Sequence, residues 1–204
     1  MNNGQAGVFP LSSPFDRSSI LPVPVFIVLY LFLVGVMALL AQMELPVMFP
    51  VLDLIGISSA LVPLVVIYAS LELSDARAPL LAGVLGLLLD LNCPPPHRLG
   101  VCVLLLASLS VLIVTQSHRK ASAHWITRLT YVLVGTFGYL IADYLFTLAQ
   151  DWRWELSLTV WSKITLASLL NFILSPLLFF LIGLPPRLCG WKPAREIKPR
   201  RYAG

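Results

Sequence analysis

Charge is what this chain has least of. Aspartate, glutamate, lysine and arginine make up 12% of its 204 residues, against about a quarter in a soluble domain. That shortage excludes an ordinary water-facing surface, and a mean hydropathy of +0.86 with 58% apolar residues agrees. Cysteine is also scarce. Cys93, Cys102 and Cys189 are odd in number and lack framework spacing, which excludes a disulfide scaffold and a thiolate metal site. Histidine appears only as His97, His118 and His124, all read as loop residues. There is no H-E-x-x-H, G-x-S-x-G or C-x-x-C, so neither a catalytic constellation nor a metal or cofactor is expected. The sequence reads as a non-enzyme.

What the chain has instead is length without charge. No Lys, Arg, Asp or Glu occurs between Arg17 and Glu44, Asp53 and Glu72, Arg98 and Arg119, or Lys163 and Arg187. A helix crossing a hydrocarbon core about 30 Å thick needs roughly 20 such residues. A closed barrel would instead alternate apolar and polar residues over strands of about ten, and continuous runs such as LGVCVLLLASLSVLIV exclude it. The first apolar run is longer than a signal-peptide core and lacks a clean A-x-A site after MALLAQM, so it is expected to be retained.

The expected fold class is an all-α integral membrane bundle of six transmembrane helices at about 21–42, 54–71, 78–92, 99–116, 127–149 and 160–184. Six spans place both termini on one side with Arg17, Arg77, Arg119, Lys120, Arg128, Arg187, Lys192, Arg195, Lys198, Arg200 and Arg201. Only Arg98, Arg153 and Lys163 fall on the other. By the positive-inside rule both termini are cytoplasmic. Residues 1–20 read as a disordered leader, 21–184 as one membrane domain and 185–204 as a basic tail. Lys192, Arg195, Lys198, Arg200 and Arg201 in that tail are expected to meet anionic lipid, at about 1 kcal/mol per basic residue. No nucleic-acid partner is expected.

Polar residues inside the membrane are costly and therefore candidates for function. Asp90 follows Gly83 and Gly86 at helical spacing, so with Pro79 they are expected to share one helix face that packs on a neighbour or meets a partner. Gly135, Gly138 and Asp143 repeat the theme in the fifth span. Asp143 near the end of that span and Lys163 near the start of the sixth come to similar depth, and an Asp143–Lys163 ion pair is expected. Deeper in the sixth span, Asn171 is expected to bond across helices and Pro176 to kink its own. Trp152, Trp154 and Trp161 suit an aromatic belt at the outer interface. DARAPLLAGVLGLLLD shares a few residues with the CDP-alcohol phosphotransferase signature, but the paired upstream aspartates that would bridge two metals are absent and Pro94 takes the last acidic position.

From Gln42 to Gly100 the chain resembles the MreD family of rod shape-determining proteins. The matching pieces are Gln42 closing the first helix, Leu45-Pro46, the G-x-x-G-L-L-x-D run from Gly83 through Gly86 to Asp90, and Leu99-Gly100 opening the fourth helix. Ser59-Ala60 stands where that family has Pro-Asp, marking a divergent member. The resemblance implies a non-enzymatic scaffold in the bacterial inner membrane, within the cell-elongation machinery that builds peptidoglycan. Its implied partner is a single-span MreC-like membrane protein, and through it MreB-like filaments and a glycosyltransferase–transpeptidase pair. On that basis Pro79, Gly83, Gly86, Asp90, Gly100, Gly135 and Gly138 form helix-packing or partner-facing surfaces. The alternative is the substrate-binding S-component of an energy-coupling-factor vitamin transporter, with a ligand pocket between Asp90, Asp143 and Lys163. The bulky first helix, VFIVLYLFLVGVMALLAQ, lacks the alanine-rich docking motif such a subunit needs.

Overall fold

The computed structural model describes residues 25–48, 60–73, 76–92, 100–119, 125–151 and 158–188. Among these residues the chain is all helical, with α1 (Val25–Met48), α2 (Leu61–Leu73), α3 (Arg77–Asn92), α4 (Val101–Arg119), α5 (Trp125–Asp151) and α6 (Leu158–Leu188). Three segments are long and apolar enough to cross a bilayer: Val25–Glu44, Trp125–Ala149 and Leu158–Leu188. The apolar stretches Leu61–Leu73 and Val101–Gln116 are shorter. These properties make the chain a membrane protein in composition and helix length.

Each helix falls on one of the six segments expected from the gaps in charge, with shifts at the ends. α1 does not stop at residue 42 but continues through Glu44 and the Leu45-Pro46 pair to Met48. One acid and one proline do not outweigh a run of helix formers already nucleated. The described α2 begins at Leu61, residues 54–59 lying outside the described residues, and Pro63 sits in its first turn, where its missing N–H has no intrahelical acceptor to lose. His118 lies in the last turn of α4, not in a loop. The leader, the Pro94–Pro96 connector, Trp152, Trp154 and tail residues 189–204 lie outside the described residues.

α2 is apolar on every side, and a helix of that kind belongs in the interior. Every residue from Val62 to Leu73 is buried, and α2 touches all the other helices. With 13 residues it extends about 20 Å, less than a hydrocarbon core. The longer helices form a wall around this short post. Their outward sides carry Leu29, Leu33, Leu104, Val134, Ile173 and Leu177, all exposed, as lipid contact requires.

Cross-helix bonds fix which ends lie together. Tyr30 near the start of α1 donates to the Ile182 carbonyl near the end of α6 at 3.1 Å. Gln42 near the end of α1 accepts the Val62 N–H at the start of α2 at 3.3 Å. The chain therefore runs up and down, with Arg77, Arg119, Arg128 and Arg187 all at helix ends on one side of the bundle, the same side as Tyr30. Gln42, Asp90 and Gly100 mark the opposite end.

Candidate functional site

Asp90 has its answer at the end opposite the arginines. Its carboxylate is 4% exposed and accepts three backbone N–H groups from the start of α4: Gly100 at 2.9 Å, Cys102 at 3.1 Å and Val103 at 3.3 Å. The first turn of any helix has N–H groups without intrahelical acceptors, and lipid offers none. A carboxylate there also meets the positive end of the helix dipole. Asp90 is thus a cap supplied by the neighbouring helix. Gly100 makes the approach possible: it has φ of 98°, a left-handed conformation that glycine adopts without strain, while its carbonyl accepts the Leu104 N–H at 3.0 Å.

Gly86, one turn earlier, brings the two helices together. A Cβ at residue 86 would lie 2.6 Å from the Val103 Cα and 2.8 Å from the Cys102 carbonyl oxygen. Backbone cannot yield as a side chain can, so α3 and α4 pack here only because residue 86 has no side chain. Gly83 behaves differently. Nothing lies within 4 Å of its added Cβ, and it is half-buried beside a half-buried Pro79. The expected four-residue face therefore divides: Gly86 and Asp90 are in the seam, while Pro79 and Gly83 flank it.

The fifth-span glycines divide the same way. An added Cβ on Gly135 would meet Ile67 of α2 at 3.0 Å and Leu109 of α4 at 3.4 Å, whereas one on Gly138 meets nothing. No ion pair between Asp143 and Lys163 is seen among the described residues, where Lys163 is exposed; the pair found there is another. Arg128 Nη1 of α5 donates to Glu72 Oε1 of α2 at 3.0 Å, with the Glu72 side chain 3% exposed and that of Arg128 23%. Glu72 sits at the negative C-terminal end of its own helix but beside the positive N-terminal end of α5, so the crossing pair relieves both ends.

Three further polar groups tie elements together. Ser70 and Ser110, both fully buried, share a hydrogen bond at 2.7 Å between α2 and α4. Pro176 denies the Phe172 carbonyl its usual N–H four residues on, and the Ser175 hydroxyl donates to that oxygen at 2.8 Å. Pro186 likewise frees the Ile182 carbonyl, which is the acceptor of Tyr30. α6 thus continues through Pro176 with its broken ladder repaired. Asn171 is fully buried, but neither its Oδ1 nor its Nδ2 has a hydrogen-bond partner among the described residues, so the expected cross-helix bond is not formed there.

No family model matches the chain, and neither does any curated protein or solved structure. What it can do follows from its geometry. Among the described residues no group of three or more His, Cys, Asp or Glu gathers as metal ligands would. The described concavity is a groove of about 350 Å³ between α4 and α5, lined mainly by leucines, valine, isoleucine and the two glycines of α5. Sequence reasoning missed Glu72–Arg128 because Glu72 borders an uncharged run and reads as a span end. Its signal was there: between Asp53 and Asp75, Glu72 is the single charge.

Proposed function

We propose that this protein is a non-enzymatic scaffold of the bacterial inner membrane, a divergent MreD-like member of the cell-elongation machinery, with six spans and both termini in the cytoplasm. One observation carries the scaffold reading: the acid of the G-x-x-G-L-L-x-D run holds the fourth helix instead of facing a ligand. An acid committed to three backbone donors has little left for a substrate. The same run leaves Gly83 open on its outer flank, where another backbone can approach. The positive-inside asymmetry supports the orientation, since Arg77, Arg119, Arg128 and Arg187 gather at one end of the bundle.

The partner on this reading is a single-span MreC-like protein whose helix lies along the Pro79–Gly83 flank of α3. Through it the scaffold would connect MreB-like filaments to the glycosyltransferase–transpeptidase pair. The vitamin-transporter alternative loses ground because two of its three proposed pocket residues are placed otherwise: Asp90 caps α4 and Lys163 is exposed.

A mild-detergent pull-down of the tagged protein from its native membrane, read by mass spectrometry, tests the proposal. A single-span partner with a large extracytoplasmic domain should co-purify with cell-wall synthases. Gly83→Leu should lose that partner while the bundle stays folded, because a Cβ added there has open space around it. Recovery of a pair of ATPases with a transmembrane coupling subunit would sink the scaffold and favour the transporter.

A further inference from the structure

We infer that the groove between α4 and α5 is a binding site for an anionic phospholipid of the leaflet at the arginine end. Its two walls match in length. On α4 the lining runs from Leu105 to Gln116, on α5 from Tyr131 to Ala142. At 1.5 Å per residue each wall is about 16 Å long, close to half of a 30 Å hydrocarbon core. That is the depth of one leaflet and the reach of an acyl chain. A partner's transmembrane helix would need a track along the full thickness.

Charge fits the same occupant. Three residues beyond Gln116 on one wall stands Arg119, the last residue of α4, and three residues beyond Tyr131 on the other stands Arg128. The groove thus runs from two arginine positions at one end to Leu105 and Ala142 at the other. Arg128 gives one Nη1 bond to Glu72, and a guanidinium has five N–H donors, so the pairing leaves donors for a phosphate. Gly138 supplies the room: it is exposed in the groove with nothing within 4 Å of an added Cβ, while Gly135 forms the floor against Ile67. The inference requires only that the bundle lie in a membrane and is independent of the scaffold assignment.

The test is lipid retention by the full-length protein in mild detergent, titrated with phosphatidylglycerol or phosphatidylcholine and read by native mass spectrometry. The wild type should hold one phosphatidylglycerol in preference to phosphatidylcholine. Arg119→Gln should lower that preference about fivefold, the worth of one basic residue near a lipid surface. Gly138→Leu, whose Cβ would stand in open space within the groove, should lower retention of both lipids, with an unchanged unfolding midpoint showing that the bundle is intact. Equal retention of the two lipids by the wild type overturns the inference. So does undiminished phosphatidylglycerol binding by a folded Gly138→Leu, whether or not that variant loses a second copy or a single-span partner instead. The pull-down partner at Gly83 would be unaffected by either failure, so the two proposals stand or fall separately.

Discussion

At the scale of single residues, the polar side chains of this bundle serve backbone groups more than one another. Asp90 caps α4, Gln42 caps α2, and Ser175 and Tyr30 satisfy carbonyls that prolines leave open. Asp90→Ala should therefore destabilise the protein by about 1–3 kcal/mol, the cost of leaving buried donors unmade. Asp90→Asn should cost less, because one acceptor oxygen survives; reversible unfolding in mixed micelles would measure both. The two glycines of the same helix separate more sharply. Gly86→Ala drives a Cβ into the Val103 backbone and should lower stability by more than about 1 kcal/mol, whereas Gly83→Ala should leave the unfolding midpoint unchanged. Equal effects at the two positions would contradict the packing described for α3 and α4. The sequence made the Gly83–Gly86–Asp90 stripe legible through its spacing. It could not say which of the glycines has a neighbour, because that depends on the crossing point of a helix further along the chain.

At the scale of helices, breaks and repairs come in pairs. Ser175 matters to α6 only because Pro176 follows it. Ser175→Ala should cost about 1 kcal/mol in the natural background, the worth of a buried hydrogen bond. In a Pro176→Ala background the cost should be close to zero, since the residue 176 amide then bonds the Phe172 carbonyl itself. A double-mutant cycle gives the difference directly, and strictly additive effects would remove serine from this role. Helix positions were legible because charge is absent from spans and present between them. Boundaries were less so: α1 passes through Glu44 and Pro46, features that normally signal an end. The Tyr30–Ile182 bond was not legible at all, for its partners stand 152 positions apart.

At the scale of the whole molecule, a central helix apolar on every side is surrounded by helices that each keep an outward apolar face. Its charged residue, Glu72, reaches the arginine end and meets Arg128. Glu72→Gln or Arg128→Gln alone should cost about 3–5 kcal/mol, because each removes one charge of a mostly buried ion pair. The double substitution should recover much of that loss, and thermal unfolding of the set in detergent checks it. Orientation is a separate matter and is measured by labelling. In a background with Cys93, Cys102 and Cys189 replaced, a cysteine at Asn92 should react with an impermeant maleimide on intact cells. One at Arg119 should react only after the membrane is opened, and the reverse pattern would invert the proposed topology. The six helices were readable from the order of residues. The Glu72–Arg128 pair was not, since it links the second helix to the fifth.

That same pair sets a schedule for synthesis. Glu72 leaves the ribosome 56 residues before Arg128, and Ser70 precedes Ser110 by 40. The second helix is therefore made before Arg128 and Ser110 exist. Until the fifth helix arrives, the nascent chain holds that acid without Arg128, a state that insertases and quality-control proteases can recognise. Chains truncated between α4 and α5 should be degraded faster than chains truncated after α5. The acid that joins the second helix to the fifth in the finished bundle is thus also the mark of an unfinished one.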